Sequence, residues 1–389
     1  MSMRGGAEGG GFHVAVVGSG GVIGSQLVPH VARTAGVRRL TLVDPDAYDE
    51  SNVGHQDIER SAVGRPKVAV QADRVRAMGG DLDVVALQQF VEDVPYGRLR
   101  ADVVLSCPDS RRARQAVNAV AWRLGLPWID AGVDPGGALA RVTVRNPGGD
   151  GACVECGWSA ADYAAADAEY GCDGRPGRAG QSAQSERPGS THATRSPTWL
   201  GGLAAAMQAA ECARLLAVMS AALSASRPAG GWQWVIDATG GSSVVTQFRR
   251  NPSCRFGHER WDIEPIARAP ADVSLAEALS FAHAREPVDT HAEMRLTVPG
   301  RTFAQRVICV ACGALRSALV LSHRLQATLG ACTECGGALT ASAFHDADHI
   351  SRSIVAAAPA APASLAALGF LPGDVFEVGG ARYELGGPP

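Results

Sequence analysis

Long apolar runs are missing from this sequence. No 18 consecutive residues are apolar, and the opening MSMRGGAEGGGF holds no apolar run ahead of the first strand-like segment. A bilayer-spanning helix and an export leader are therefore both disfavoured. An excess of charge of one sign is missing too. With 36 basic and 39 acidic residues the formal net charge is −3, so no overall basic field holds a polyanion, and neither nucleic acid nor a membrane is an expected partner. There is no internal repeat. Disulfides are not expected either: six of the ten cysteines form three Cys-x-x-Cys pairs (153/156, 309/312, 332/335) in a chain without an export signal. Metal in a reducing cytoplasm fits that pattern better.

What remains is ample for a soluble globular protein. At 389 residues and 46% hydrophobic composition, the chain has room for one large domain and a smaller one. From Phe12 to about Cys107, β-branched runs alternate with helical stretches. HVAVVG, RRLTLVD, LDVVAL and ADVVLSC read as strands; Ile23 to Ala35 and Gly64 to Met78 read as helices. Strands apolar on both faces and separated by helices predict a Rossmann-like, doubly wound, mainly parallel sheet in an α/β protein. Arg111 to Leu124 and Trp199 to Met219 extend the helical set, with Pro29 expected to remove a backbone bond from the first helix. WIDAGV, ALARVTVRN and the hairpin WQWVIDA/SSVVTQF extend the strands. Residues 173 to 195 are almost free of apolar side chains and are expected to form a mobile loop. The expected organisation is a main domain over 12–263, a linker over 264–298, a zinc ribbon over 299–341, and a linker with a short tail over 342–389.

GSGGVIGS places Gly18, Gly20, Gly21 and Gly24 between a strand and a helix, where glycines allow close backbone approach and the helix start offers free N–H groups to a phosphate. Asp44 ends the next strand, 20 residues beyond Gly24, at the distance from which a carboxylate reaches ribose hydroxyls. These two features alone suit a nicotinamide dehydrogenase as well as an ATP user. The residues that follow separate them. VDPDAYDESNVGHQ, GRPK, VVLSCPDS, the 111–133 segment, CVEC, Cys172, QAAE and RNPSC together resemble, in order and spacing, the ubiquitin-activating-enzyme superfamily of ThiF, MoeB and HesA adenylyltransferases over about residues 12 to 258.

That resemblance implies an enzyme in which ATP, with Mg2+, activates the C-terminal glycine of a small β-grasp ubiquitin-like or sulfur-carrier protein as an acyl adenylate. Asp44 and Asp46 would lie at the nucleotide, Lys67 would reach the phosphates, Asp109 would hold magnesium, and Asn52 would contact the nucleotide. Cys172 would then take the acyl group as a thioester for a conjugating enzyme or sulfurtransferase. Three departures stand out. Ile23 replaces a family glycine, His55 stands where the family has arginine, and the N-terminal helix through which family dimers exchange an arginine has no counterpart. An adenylation-defective scaffold is therefore the alternative reading, and whether the chain dimerises stays open. Cys153 and Cys156 resemble half of the family's zinc knuckle, and Cys254 with His258 would complete a Cys3His set. Cys309, Cys312, Cys332 and Cys335 have zinc-ribbon spacing by themselves, giving a docking module or a stabilising appendage. Cys107 and Cys212 read as packed residues.

Overall fold

A computed structural model describes residues 11–148, 151–168, 196–220, 231–281, 294–342, 345–357 and 362–386. Cys172 and the 173–195 segment lie outside them. The chain divides into two compact units, one running to Arg260 and the other comprising Trp261 onward together with Pro95–Arg98.

The first unit is built in the order β1 (Phe12–Val17), α1 (Gly24–Ala32), β2 (Val37–Val43), α2 (Lys67–Ala77), β3 (Asp83–Leu87), β4 (Val103–Ser106), α3 (Arg111–Leu124), β5 (Trp128–Asp134), β6 (Leu139–Arg145), α4 (Ala160–Ala168), α5 (Thr198–Met219), β7 (Trp232–Asp237) and β8 (Ser242–Gln247). Its single sheet has the order β3-β2-β1-β4-β5-β6-β7-β8. The pairs from β3 through β5 are parallel and those from β5 through β8 antiparallel. Winding reverses between β1 and β4, and the carboxyl ends of two strands that diverge in this way leave a crevice where ligands of open α/β sheets bind. Val14, Val16, Leu40, Leu42, Val103 and Leu105 are buried in the middle of the sheet, as expected for strands covered by helices.

Helix α5 is long and apolar enough by composition to cross a bilayer. Its Leu200, Ala204, Ala205, Cys212 and Leu216 are instead buried in the core of this unit, and Gln208 donates to the carbonyls of Ser106 and Ile129 at 3.0 and 2.8 Å. It is a core helix. Cys107, read above with the fourth strand, lies one residue beyond β4.

The second unit corrects the expected linker and tail. Residues 264–298 and 342–389 were expected to connect and trail, yet they supply β9 (Ile263–Ile266), α6 (Leu275–Ala278), β10 (Arg295–Thr297), β14 (Asp346–Ala347), β15 (His349–Ser351), α8 (Arg352–Ala357), β16 (Val375–Val378) and β17 (Ala381–Leu385). Between them lie β11 (Phe303–Cys309), β12 (Leu315–Leu321), α7 (Leu325–Leu329) and β13 (Leu339–Ala341). One sheet has the order β15-β10-β16-β17-β9, and another is built on β12-β11-β13. Phe303, Phe370, Phe376, Leu296 and Ile350 are buried in a core of their own. The physical reason is cooperation at long range: strands of two to five residues are too short to show periodicity, and they become strands because a common aromatic core covers them. The first domain accordingly ends near Arg260, because β9 pairs in parallel with β17.

Candidate active site and cysteine centres

The crevice between β1 and β4 is where the glycine loop sits. Gly18 has φ +80°, and its N–H, like that of Ser19, donates to the carbonyl of Val43 (2.8 and 3.3 Å). A Cβ on Gly24 would collide with the Gly18 carbonyl, and one on Gly20 with the stem of Lys67, so both approaches require glycine. The one-position shift of glycine from residue 23 to 24 is thereby explained: Ile23 is buried in the core, and the close contact falls to Gly24.

Gly20 N donates to Asp44 Oδ2 at 2.9 Å and Asp46 N to Asp44 Oδ1 at 3.2 Å. Asp44 is only 4% exposed. Burial pushes its carboxyl up to about 6 although Lys67 and the two N–H groups pull the other way. Lys67 opens α2 and is held by strand-like pairing of the GRPK segment with residues 46–48: Lys67 N donates to Asp46 O at 2.9 Å and Tyr48 N to Arg65 O at 3.0 Å. Its Nζ lies 3.1 Å from Asp46 Oδ2. Burial alone would lower the Lys67 ammonium, but the carboxylates of Asp44 and Asp46, with Asp109 adding to them, outweigh it and hold it above its ordinary value. Asp109 itself is exposed. The Gly18 Cβ position lies 3.0 Å from Cys107 and 3.1 Å from Pro108, which brings the segment carrying Asp109 against the loop. Gly18, Gly20, Gly24, Asp44, Asp46, Lys67 and Asp109 are thus gathered at one strand crossover.

Asn52 and His55 sit on a short turn. Asn52 Oδ1 accepts from Asp49 N at 3.0 Å, while Asp49 Oδ1 accepts from Ser51 N and Asn52 N. Among the described residues no side-chain hydrogen bond places either residue on the loop directly. The link is made by residues that the sequence did not single out. Asp57 N donates to Ser25 Oγ at 3.2 Å, and Arg74 donates to the carbonyls of Ser25 and Asp57 (2.9 and 2.8 Å) and to Asp57 Oδ2 (2.6 Å). Gln71 completes the chain to the buried Tyr48 hydroxyl at 2.7 Å.

A second unanticipated group lies at the ends of β4 and β5. Buried Asp130 accepts from Ser106 Oγ at 2.7 Å and from Arg114 Nε at 3.1 Å, and Arg141 Nη1 is 3.5 Å away. Arg141 crosses the space above Gly132, whose Cβ would meet the guanidinium at 2.9 Å. Two cations on one carboxylate leave this group with one positive charge in excess.

Each cysteine group closes on itself. The ligand atoms of Cys153, Cys156, Cys254 and His258 all lie within 4.8 Å of one another, as do those of Cys309, Cys312, Cys332 and Cys335. Cys153 Sγ is 3.6 Å from Cys254 Sγ and Cys156 Sγ 3.2 Å from His258 Nε2; Cys309–Cys335 and Cys312–Cys332 are 3.4 and 3.8 Å. Bonds of about 2.3 Å to a tetrahedral zinc would put sulfurs about 3.8 Å apart, so both donor sets fit that ion with no position left open. Cys212 is buried in α5, and burial pushes its thiol up to about 12. Burial likewise raises Cys107 far above the ordinary thiol range.

A glycine loop and a buried aspartate at a strand crossover, with a cation between them, place the chain in the Rossmann-like α/β class. The model of the ThiF family matches residues 10–277, and the chain belongs to that family. It is 35% identical over 149 residues to the sulfur carrier protein ThiS adenylyltransferase of Escherichia coli K12, covering 37% of this chain and 57% of that one. It is 30% identical over 159 residues to ubiquitin-like modifier-activating enzyme 5 of Branchiostoma floridae, covering 37% and 38%. The chain thus matches less than two thirds of the length of these relatives. Among solved structures, E. coli MccB with AMPCPP and selenomethionyl MccA aligns at 20% identity with a TM-score of 0.47, over 62% of this chain and 65% of that one.

Proposed function

We propose that this chain uses ATP to adenylate the C-terminal glycine of a small β-grasp carrier, of the ubiquitin-like or sulfur-carrier kind. The observation that carries this reading is the Asp44–Lys67–Asp46 constellation closed around the glycine loop. A cation held charged against the phosphate path is what an attack of carboxylate on the α-phosphate needs, since anion would otherwise meet anion. Hydride transfer gives no reason for it. Asp44 would take the ribose hydroxyls once Gly20 and Asp46 yield its oxygens, and Lys67 would exchange Asp46 for phosphate oxygens. Magnesium takes one or two carboxylates together with phosphates, and exposed Asp109 suits that place. The cationic surface of Arg114 and Arg141 would receive the incoming carboxylate-bearing tail. Cys172 would accept the acyl group afterwards, its sulfur displacing AMP from the adenylate. In the cysteine centres, zinc would supply structure only.

Pyrophosphate exchange with a purified carrier tests the reading. Exchange should need both ATP and carrier and fall at least a hundredfold in Asp109→Ala. A reductant-sensitive carrier conjugate should form in the wild type and not in Cys172→Ala. The presence of His55 in place of an arginine fork favours a second reading, a scaffold that binds the carrier without activating it. Carrier binding without exchange under any condition would establish the scaffold instead.

A further inference from the structure

Arg145, the last residue of β6, is the most thoroughly buried guanidinium near the first cysteine centre, and nothing in the nucleotide chemistry uses it. It is 7% exposed. Its Nη1 donates to the carbonyls of Ala152 and Cys153 at 3.0 and 2.9 Å, directly at the Cys153-x-x-Cys156 turn. Its Cζ lies over the rings of Trp128 and Phe248, 5.9 and 5.2 Å from their centroids. No carboxylate is within ion-pairing distance among the described residues, and Nε has no hydrogen-bond partner among them. Buried Asp130 is already engaged by Arg114 and Arg141. A buried cation without a counter-ion is expensive. The groups at its own hydrogen-bonded turn able to face it with negative charge are the sulfurs of Cys153 and Cys156, Cys153 being the residue whose carbonyl its Nη1 holds.

Those sulfurs are anionic when they bind metal. A divalent ion with three thiolates and one neutral imidazole carries one net negative charge, and Arg145 carries one positive charge. We propose that Arg145 is the built-in counter-ion and positioning residue of a Cys3His zinc centre at Cys153, Cys156, Cys254 and His258, making the centre and its guanidinium neutral as a unit. Other contacts fix the same turn: Val154 N donates to Asn118 Oδ1 at 3.1 Å and Asn251 N to Cys156 Sγ at 3.4 Å, while Trp122 and Phe256 meet the His258 ring edge to face. None of these brings charge. Exposed Arg250 acts on His258 from outside, and buried Glu155 within the turn is taken up by Gln115, Tyr163 and Asn118. Arg145 is the buried cation at the turn, and its two bonds to consecutive carbonyls aim that charge at the segment carrying both cysteines.

The test is made on the full chain and reads metal rather than activity. Wild-type protein is expected to hold zinc at this centre, so that Cys254→Ser lowers the measured zinc per chain by one. In competition with a chromogenic chelator, Arg145→Met should lose that zinc about 10- to 100-fold more readily. Arg145→Lys, which keeps the charge without the fork, should stay within about threefold of wild type, or about 0.7 kcal/mol. Equal loss in Met and Lys variants would show that charge is not the role, and wild-type behaviour in Arg145→Met would remove Arg145 from the centre. A zinc count unchanged by Cys254→Ser would remove the centre itself. Should Arg145→Met not be recovered folded, Arg145→Lys decides alone: retained zinc supports the pairing and lost zinc overturns it.

Discussion

Asp44 is the residue on which the proposed nucleotide site turns, because its charge is marginal near neutrality. Its folded pKa of about 6 lies above the ordinary carboxylate value, so the neutral form is the one the fold prefers. The sign follows by linkage: the stabilising contribution is complete below the unfolded pKa, near 4, and is lost as pH rises through about 6. Between those values the nucleotide-free protein should lose on the order of 2 kcal/mol of stability that Asp44→Asn does not lose. Denaturant melts of the two proteins at pH 4.5 and pH 7.5 measure it. Nucleotide affinity should run the opposite way, because ribose hydroxyls donate to the ionised carboxylate. Binding should weaken progressively below about pH 6 in the wild type and be weak at every pH in Asp44→Asn. A wild-type affinity flat from pH 5 to 8 would show that the carboxylate is not at the ribose.

At the scale of elements, Pro29 inside α1 has a specific compensation. Proline offers no N–H to the carbonyl four residues back, which is that of Ser25, and Arg74 from α2 donates to that carbonyl instead. The same guanidinium holds Asp57, so one side chain ties α1, α2 and the turn bearing Asn52 and His55. Arg74→Ala should cost about 1–3 kcal/mol, the range for leaving a buried acceptor unpaired. Pro29→Ala, which returns an N–H to Ser25, should make the second loss smaller. A double-mutant cycle by urea denaturation reads the coupling, and strict additivity would show that the two residues do not share the carbonyl. Such links explain what could be read in advance. Strands β1 to β7 and helix α3 were legible because burial on one or both faces writes itself into local periodicity, and β8, exposed along its length, because Thr239-Gly240-Gly241 marks a hairpin turn after β7. Gly18 and Asp44 stood out by their spacing around a strand and a helix start, whereas Lys67 stood out only through the family resemblance of the GRPK segment. Arg74 and Asp57 touch only through the fold, and Arg145 alternates with apolar residues in ALARVTVRN as a solvent-facing residue would. The three-residue strands β10, β13 and β15 carry no period at all.

For the whole molecule, two compact units with separate cores should not melt as one. The ribbon on β11, β12 and β13 is the weaker part, since the apolar residues buried around its cysteines are few and mostly small: Ala304, Val307, Val320, Leu325 and Leu339. A core of that size cannot offset chain entropy unaided, so metal at Cys309, Cys312, Cys332 and Cys335 should supply the difference. Cys312 and Cys335 are exposed, open to a competing chelator, whereas Cys153 is fully buried. Chelation at moderate strength should therefore strip the ribbon first. In calorimetry the low-temperature transition should move down by several degrees in Cys312→Ser or after chelation, while the transition of the eight-stranded unit stays within about 2 °C. Limited proteolysis should then cut between residues 303 and 341 and spare 12–145. If chelation lowered both transitions together, the ribbon would have to be counted as part of one cooperative core, and its cysteines as supports for the eight-stranded unit itself.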